Sequence, residues 1–486
     1  RLCQNWPGRK HPSPAPGNTG HSWLSCCTWC KTTRFFSLHQ QAGARQVVSA
    51  LSSSSSPLRL GIAGLGTVGA GVIKLIEANA DLISARAGRA LKVVAVSARN
   101  RKQDRGICLD TLRWYDNAAD LVNDAEVDVI VELIGGAEGT ARTLVEAALK
   151  AGKPVVTANK ALLALHGPAL AKLSADNAAP LLFEAAVAGG IPAIKTVREG
   201  LAADRLERIG GILNGTCNYI LTVMRETGQD FATVLADAQK LGYAEADPST
   251  DVDGWDAAHK LAILAGLAFG QPVVFDSLHV EGIRQIGSAD LDFARKLGYR
   301  IKLLGLASLR EDGLEARVTP CLVREDAPIA QVDGVFNAVV TESAFAGRLM
   351  IEGRGAGAGP TASAVTADLI DIARGKTVSV WGVEHSDKPA LQALPLSAGK
   401  GAFYLRLLVE DRPGVIADVS AVLRDCGVSL RSMLQPTPAR NETTPHVPLI
   451  LVTHQTSEAA MQDAVTRIKA LSVVTASPVV IRIETD

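Results

Sequence analysis

Residues 245–260 read EADPSTDVDGWDAAHK, one Glu, four Asp and one Lys in sixteen positions. Carboxylates this crowded repel one another unless something positive is held among them. A metal ion, a ligand's ammonium group and solvent are all compatible with the stretch. A calcium loop of the EF-hand type fails: with Asp251, Asp253 and Gly254 at its third, fifth and sixth positions, the bidentate Glu required at the twelfth is Lys260. Asp256 and Lys260 instead stand i and i+4 on one helical face, with the acid first, the favourable order. Such pairs usually decorate a surface. Here the apolar run KLAILAGLAF continues from Lys260, so the helix is expected to be largely buried. A lysine held by an aspartate at the edge of an apolar helix suits a general acid or electrophile.

A second group of residues suits phosphate binding. Gly64-Leu-Gly66-Thr-Val-Gly69 follows an apolar strand and opens a helix, the context in which backbone approaches a pyrophosphate at a helix N-terminus. Gly64, Gly66, Thr67, Val68 and Gly69 are therefore the expected dinucleotide cradle. NAD-binding units usually end the second strand in an acid that accepts from the ribose 2′-hydroxyl. Here LKVVAVSAR runs into Ser97-Ala-Arg99-Asn-Arg101-Lys102, with no acid. An Arg can pair with a 2′-phosphate that an acid would repel, so Arg99 points to NADP(H), with NAD(H) as the alternative. The bland reading is a solvated basic loop. Lys160 ends the strand KPVVTANK, where open α/β sheets face their ligand, although lysines at strand ends are often only solvated.

The elements that must position these residues change character along the chain. Residues 58–188 alternate strand and helix, which predicts an α/β, Rossmann-like doubly wound parallel sheet. Residues 189–349 read as an α+β catalytic and dimerisation domain. The Gly-rich turn around Gly357 and a helix at about 350–375 then return to the first domain. Residues 376–400 look like a linker, and 401–486 read βαββαβ, the ferredoxin-like plan.

The totals exclude some classes. Lys+Arg and Asp+Glu are 50 each, so no global field attracts nucleic acid or an anionic membrane. No apolar run approaches the ~18 residues of a membrane span. Residues 1–57 carry half of the 8 Cys and half of the 6 Trp but no acid, so they read as a transit-type leader or as wrongly translated upstream sequence. Cys27-Thr-Trp-Cys30 has no second pair to make a metal site. The other cysteines are scattered singly, as in a reduced compartment. The expectation is cytoplasmic, or an organelle if the leader is genuine.

GIAGLGTVGAGV, TANK, FEAAVAGGIP, GILNGTCNYIL and KLGYAEADPSTDVDGWDAAHK occur in the order and spacing of one family's motifs. Over 58–375 the chain resembles homoserine dehydrogenase, and LLVEDRPGVIADVSAVLRDCGVSL is similar to an ACT domain, an amino-acid-binding regulatory module. The resemblance implies NAD(P)H-dependent reduction of L-aspartate 4-semialdehyde to L-homoserine, on the route to threonine, isoleucine and methionine. Position by position it implies Lys160 and Lys260 as the catalytic pair, with Asp256 beside Lys260. Gly215, Thr216, Tyr243, Glu245 and Asp251 would contact the amino acid, with Glu245 accepting its ammonium group. Lys160 and Gly357 would border the cofactor, and Glu184, Val187, Gly189 and Ile191 would hold a structural sodium ion. Asp247 and Asp253 are left to a solvated loop.

The ACT-like tail implies feedback inhibition, with threonine as first candidate acting through the turn at 411–416, and pairing into a homodimer or homotetramer. With no aspartate kinase segment ahead of it, the dehydrogenase is expected to be monofunctional. Two rival readings remain. A dehydrogenase of another small semialdehyde would lack the paired lysines. A non-catalytic NADP(H)- and amino-acid-sensing protein would bind both without turnover.

Overall fold

The computed structural model describes residues 56–384, 389–435 and 446–484. The extension 1–57, apart from Ser56 and Pro57, lies outside the described residues, as do Cys27 and Cys30.

β1 (Leu58–Ala63), β2 (Leu91–Ser97), β3 (Arg113–Tyr115), β4 (Val129–Glu132), β5 (Val155–Thr157) and β6 (Leu181–Leu182) form one parallel sheet, ordered β3-β2-β1-β4-β5-β6. Helices Thr140–Lys150 and Lys160–Asp176 pack on one face, Thr67–Ala78 and Ala358–Ala373 on the other. The inner strands are therefore apolar on both sides, and every residue of β4 and β5 is buried. Strand order reverses between β1 and β4, so the loops leaving the strands' carboxyl ends converge at that switch point. Gly64 is required there: its φ is 99°, and a Cβ on it would lie 2.4 Å from the Leu133 carbonyl oxygen.

The second sheet is mixed. β7 (Leu206–Ile212), β8 (His279–Val280), β9 (Tyr299–Arg310), β10 (Gly313–Arg324), β11 (Phe336–Ser343) and β12 (Gly347–Arg354) precede the tail. The tail adds β13 (Lys400–Glu410), β14 (Leu430–Leu434), β15 (His446–Thr453), β16 (Thr456–Ser457) and β17 (Val479–Glu484), with helices Val415–Asp425 and Glu458–Lys469. Its main strands lie in the order β17-β13-β15-β14, the ferredoxin-like arrangement.

The tail does not stand apart, as the linker-like composition of 376–400 had implied. β17 pairs in parallel with β10, Cys321 opposite Arg482, so one sheet runs β12-β11-β7-β9-β10-β17-β13-β15-β14. Part of the presumed linker also joins: Leu391 bridges Val273 and Ala393 bridges Leu314. The physical reason is edge satisfaction, because each sheet covers an edge that the other would leave open. Along β13, Phe403, Leu405, Leu407 and Val409 face the tail's own helices. Tyr404 and Arg406 instead reach the fully buried Asp290 of helix Ser288–Lys296, at 3.0 Å and 2.6 Å.

Candidate active site

Helix Trp255–Phe269 buries every residue from Lys260 to Leu267, which holds its polar first turn at the rim of an apolar core. Asp256, 5% exposed, is the centre of the site. Its Oδ2 accepts from Lys260 Nζ at 2.7 Å and from Asn214 Nδ2 at 2.8 Å, and its Oδ1 lies 3.1 Å from Lys160 Nζ. Lys260 also donates to the Leu213 carbonyl at 2.8 Å. Lys160 arrives from the other domain as the first residue of helix Lys160–Asp176, whose N-cap Asn159 accepts from the Leu162 amide. Burial opposes ionisation of Asp256, but the two ammonium groups outweigh it and hold the carboxyl well below the usual range. Asp256 in turn raises the Lys160 pKa against partial desolvation.

Asn214 is a site residue that sequence reasoning missed. It caps helix Gly215–Thr227 by accepting from Cys217 N at 2.7 Å, while its amide donates to Asp251 at 2.7 Å as well as to Asp256. The available signal was an Asn directly before a helix start, which reads only as a cap.

The predicted amino-acid contacts gather around the same helix start. Gly215 opens that helix, and a Cβ on it would stand 2.7 Å from the Val335 carbonyl oxygen. Thr216 Oγ1 is committed to the Tyr243 carbonyl at 2.8 Å, and Tyr243 lies edge-on to Tyr219. Asp251 has its pKa raised by burial and by Asp256. Glu245 sits on an exposed loop, and both it and Asp251 act electrostatically on Lys160. The two carboxylates without a predicted role are taken up locally. Asp247 accepts from Ser249 N at 3.1 Å, and Asp253 pairs with Arg284. Most of the positive charge that the acidic stretch requires is thus the chain's own, on Lys160, Lys260 and Arg284. Among the described residues no cluster of three or more His, Cys, Asp or Glu is placed to hold a metal ion.

On the cofactor side, Gly66 leaves open space where a Cβ would be, and helix Thr67–Ala78 has no side-chain cap, so its first-turn amides, from Thr67 and Val68 onward, are available to a pyrophosphate. A Cβ on Gly69 would lie 2.0 Å from the Gly64 carbonyl oxygen, which forbids a larger residue. Gly357 likewise caps helix Ala358–Ala373 with no side chain on its amides. Arg99 is exposed just beyond β2. Its neighbour Arg105, unnoticed in the sequence, donates to the Leu65 carbonyl at 2.8 Å and to the Asn100 carbonyl at 2.6 Å, tying the basic loop to the Gly-rich turn. Buried Glu132, also missed, accepts from the Ile134 and Gly135 amides and from Thr157, which fixes the loop opposite that turn.

Glu184 is 2% exposed, and its carboxylate accepts from the Ile194 and Lys195 amides. Burial, with Asp368 nearby, pushes its carboxyl up to about 7. The chain reverses at Ala188 and Gly189, both at positive φ, and a Cβ on Gly189 would lie 2.5 Å from the Gly355 carbonyl oxygen. A carboxylate whose charge burial and Asp368 disfavour is compatible with a hard monovalent cation at Glu184.

Residues 64–184 match the homoserine dehydrogenase NAD-binding domain, and residues 192–370 match the homoserine dehydrogenase domain. A homoserine dehydrogenase of Pseudomonas aeruginosa is 46% identical over 439 residues, covering 88% of this chain and 99% of that protein. The crystal structure of a homoserine dehydrogenase from Thiobacillus denitrificans superposes with a TM-score of 0.82 at 43% identity, covering 89% of this chain and 99% of that one. A hyperthermophilic archaeal homoserine dehydrogenase in complex with NADPH is 26% identical, with a TM-score of 0.58 over 67% of this chain and all of its own. Among the described residues no helix is long and apolar enough to cross a membrane. On this evidence the chain belongs to the homoserine dehydrogenase family.

Proposed function

We propose that the chain reduces L-aspartate 4-semialdehyde to L-homoserine with NADPH, using Lys260 as proton donor and Lys160 as its partner across Asp256. The observation that carries this reading is two lysines from different domains meeting on one buried carboxylate. An ammonium has three N–H donors. Lys260 commits two, to Asp256 and Leu213, and the described residues offer no acceptor for the third. That donor is available to the aldehyde oxygen, where negative charge builds during reduction. The nicotinamide cofactor, when bound, supplies the hydride. Asp256 hydrogen-bonds Lys260 and raises the Lys160 pKa, and Asn214 donates to both Asp256 and Asp251. Glu245 and Asp251 are the carboxylates for the substrate's ammonium group, and Gly215, Thr216 and Tyr243 shape its seat.

The NADP preference rests on Arg99 and the absence of an acid at the end of β2. The sodium reading rests on Glu184 with the carbonyls of Val187, Gly189 and Ile191; sodium-23 NMR titration that shows no binding would remove it. Feedback by an amino acid such as threonine, and assembly into a homodimer or homotetramer, rest on the ferredoxin-like tail. A reducing, cytoplasmic compartment rests on the four unpaired cysteines among the described residues.

The deciding experiment follows NADPH oxidation with aspartate semialdehyde for the full chain and for Lys260→Ala. Turnover that falls at least ~100-fold in the variant supports both reaction and residue. Undiminished turnover would move the proton donor to Lys160. No turnover by either protein, despite NADPH binding, would leave the sensing reading.

A further inference from the structure

Glycine inside a helix weakens it, because it gives up backbone entropy and brings no side chain to pack. Gly167 lies within helix Lys160–Asp176 and Gly266 within helix Trp255–Phe269, the two helices that carry Lys160 and Lys260. Neither takes a left-handed φ that would call for glycine. What they share is a neighbour. A Cβ on Gly167 would lie 2.7 Å from Trp381 Cζ2, and one on Gly266 would lie 2.8 Å from Trp381 Cζ3. The benzo edge of one indole therefore stands between the two helices, and glycine makes room for it on both sides.

Trp381 belongs to the connector that follows helix Ala358–Ala373. It is buried and tilts against Phe183, with ring centroids 6.4 Å apart. Its Nε1–H is buried and has no acceptor among the described residues. An unmet buried donor is a cost, so the indole is held there by its shape and not by a hydrogen bond. The same connector holds the end of the catalytic helix. A Cβ on Gly270, the cap at φ 65°, would lie 3.0 Å from Val383 Cγ1, and Gln271 Nε2 donates to the Pro389 carbonyl at 3.2 Å.

The glycines stand about two turns beyond Lys160 and Lys260, roughly 10 Å along each helix. Gly167 is followed by Pro168, which removes a backbone hydrogen bond from the helix interior and makes that step the weakest in the helix. The indole packs on the step where the helix would bend most easily.

We propose that Trp381 is a positioning residue for the reaction: as a wedge it sets the spacing of the two helices and so brings Lys160 onto Asp256 beside Lys260. It acts through the helices and not on a reacting atom. The inference rests on the proposed reaction for its effect on turnover; the placement of Lys160 on Asp256 can be read without turnover.

Trp381→Leu, Gly266→Ala and the two combined test this in the full chain, with Trp381→Phe as the conservative control. The Gly266→Ala methyl collides with the indole of the wild type, but in the double variant it fills space that the indole has left. Each single variant should lower kcat about 10-fold or more with the KM for NADPH within about 3-fold, since a small misplacement of reacting groups is costly. The double variant should lose about 10-fold less than the product of the single losses, and Trp381→Phe should stay within about 3-fold of wild type. Competitive acetylation of Lys160, read by mass spectrometry, needs no turnover. Asp256, Asp251 and Glu245 hold its pKa up, so withdrawal from them should raise its reactivity about 3-fold or more near pH ~9 in each single variant. Variants that unfold in less urea while kcat and Lys160 reactivity keep their wild-type values would reduce Trp381 to core packing and overturn the proposal. So would single losses that simply multiply in the double variant. No turnover by the wild type, with Lys160 reactivity still responding, would overturn the proposed reaction and leave the positioning role standing.

Discussion

Two clusters in the catalytic domain each place several cations on one carboxylate, and they differ in what the lysine has left over. At Asp256, Lys260 makes two bonds and keeps its third donor, while the Lys160 side chain is 39% exposed. At Asp333, Lys302 is joined by Arg225 and Arg300. Lys302 spends all three of its N–H bonds, on Asn218, the Val332 carbonyl and Asp333 at 3.1, 2.5 and 3.0 Å. Burial lowers the Lys302 pKa to about 8, because Asp333 is shared with two guanidinium groups. A buried lysine is thus no marker of catalysis by itself. The accounting of its donors separates the lysine proposed to react, which keeps one, from the lysine that has spent all three.

Exchanging the lesions breaks the comparison most directly. Lys302→Met should keep kcat within about 10-fold, far from the ~100-fold loss expected of a general acid. It should destabilise the fold, since Asn218 Oδ1 and the Val332 carbonyl lose their donor at about 1–3 kcal/mol each. Urea unfolding beside steady-state kinetics reads both, and a kcat collapse in Lys302→Met would erase the distinction.

A pH series sharpens it. The folded pKa of Lys302, about 8, lies below its ordinary 10.5, so the folded state binds fewer protons between those values and its charge is a cost below them. Wild-type stability, relative to Lys302→Met, should rise between pH 8 and pH 10.5 by up to about 3 kcal/mol. At Asp256 stability also rises with pH, but there the charged form is the stabilising one. Its folded pKa is depressed, so its contribution is present above the ordinary carboxylate range and is lost as pH falls below it. A flat difference in the alkaline range would mean that Lys302 is not strained.

The smallest effect lies at the cofactor edge, where one exposed arginine acts alone. Arg99→Glu should lower the NADPH-to-NADH ratio of kcat/KM by about 10-fold or more, the scale of one hydrogen bond to a charged group. An unchanged ratio would hand the discrimination to Arg101 or Lys102.

Legibility followed the range of the interaction. The Gly-rich turn could be read because strand, glycines and helix are contiguous. The Asp256–Lys260 pair could be read because one helical turn brings i and i+4 together. Asn214 could not, because its role joins Asp251 to Asp256 from another element. The tail reads as a separate module because Pro and Gly in 376–400 mimic a linker, whereas edge pairing of β17 with β10 leaves no local trace. By position alone Lys160 reads as one strand-end lysine among many, and only the family resemblance pairs it with Lys260.

The sequence by itself determined the elements, the phosphate-binding turn, the apolar helix that carries Asp256 and Lys260, and the family through its motifs. All of these depend on neighbours within a few turns of chain. Only the tertiary structure decided that Lys160 crosses to Asp256, that Lys302 is spent and Lys260 is not, and that the tail pairs its β17 with β10 of the catalytic sheet. Those outcomes depend on where separate elements dock, and docking is set by burial and edge pairing summed over the whole chain.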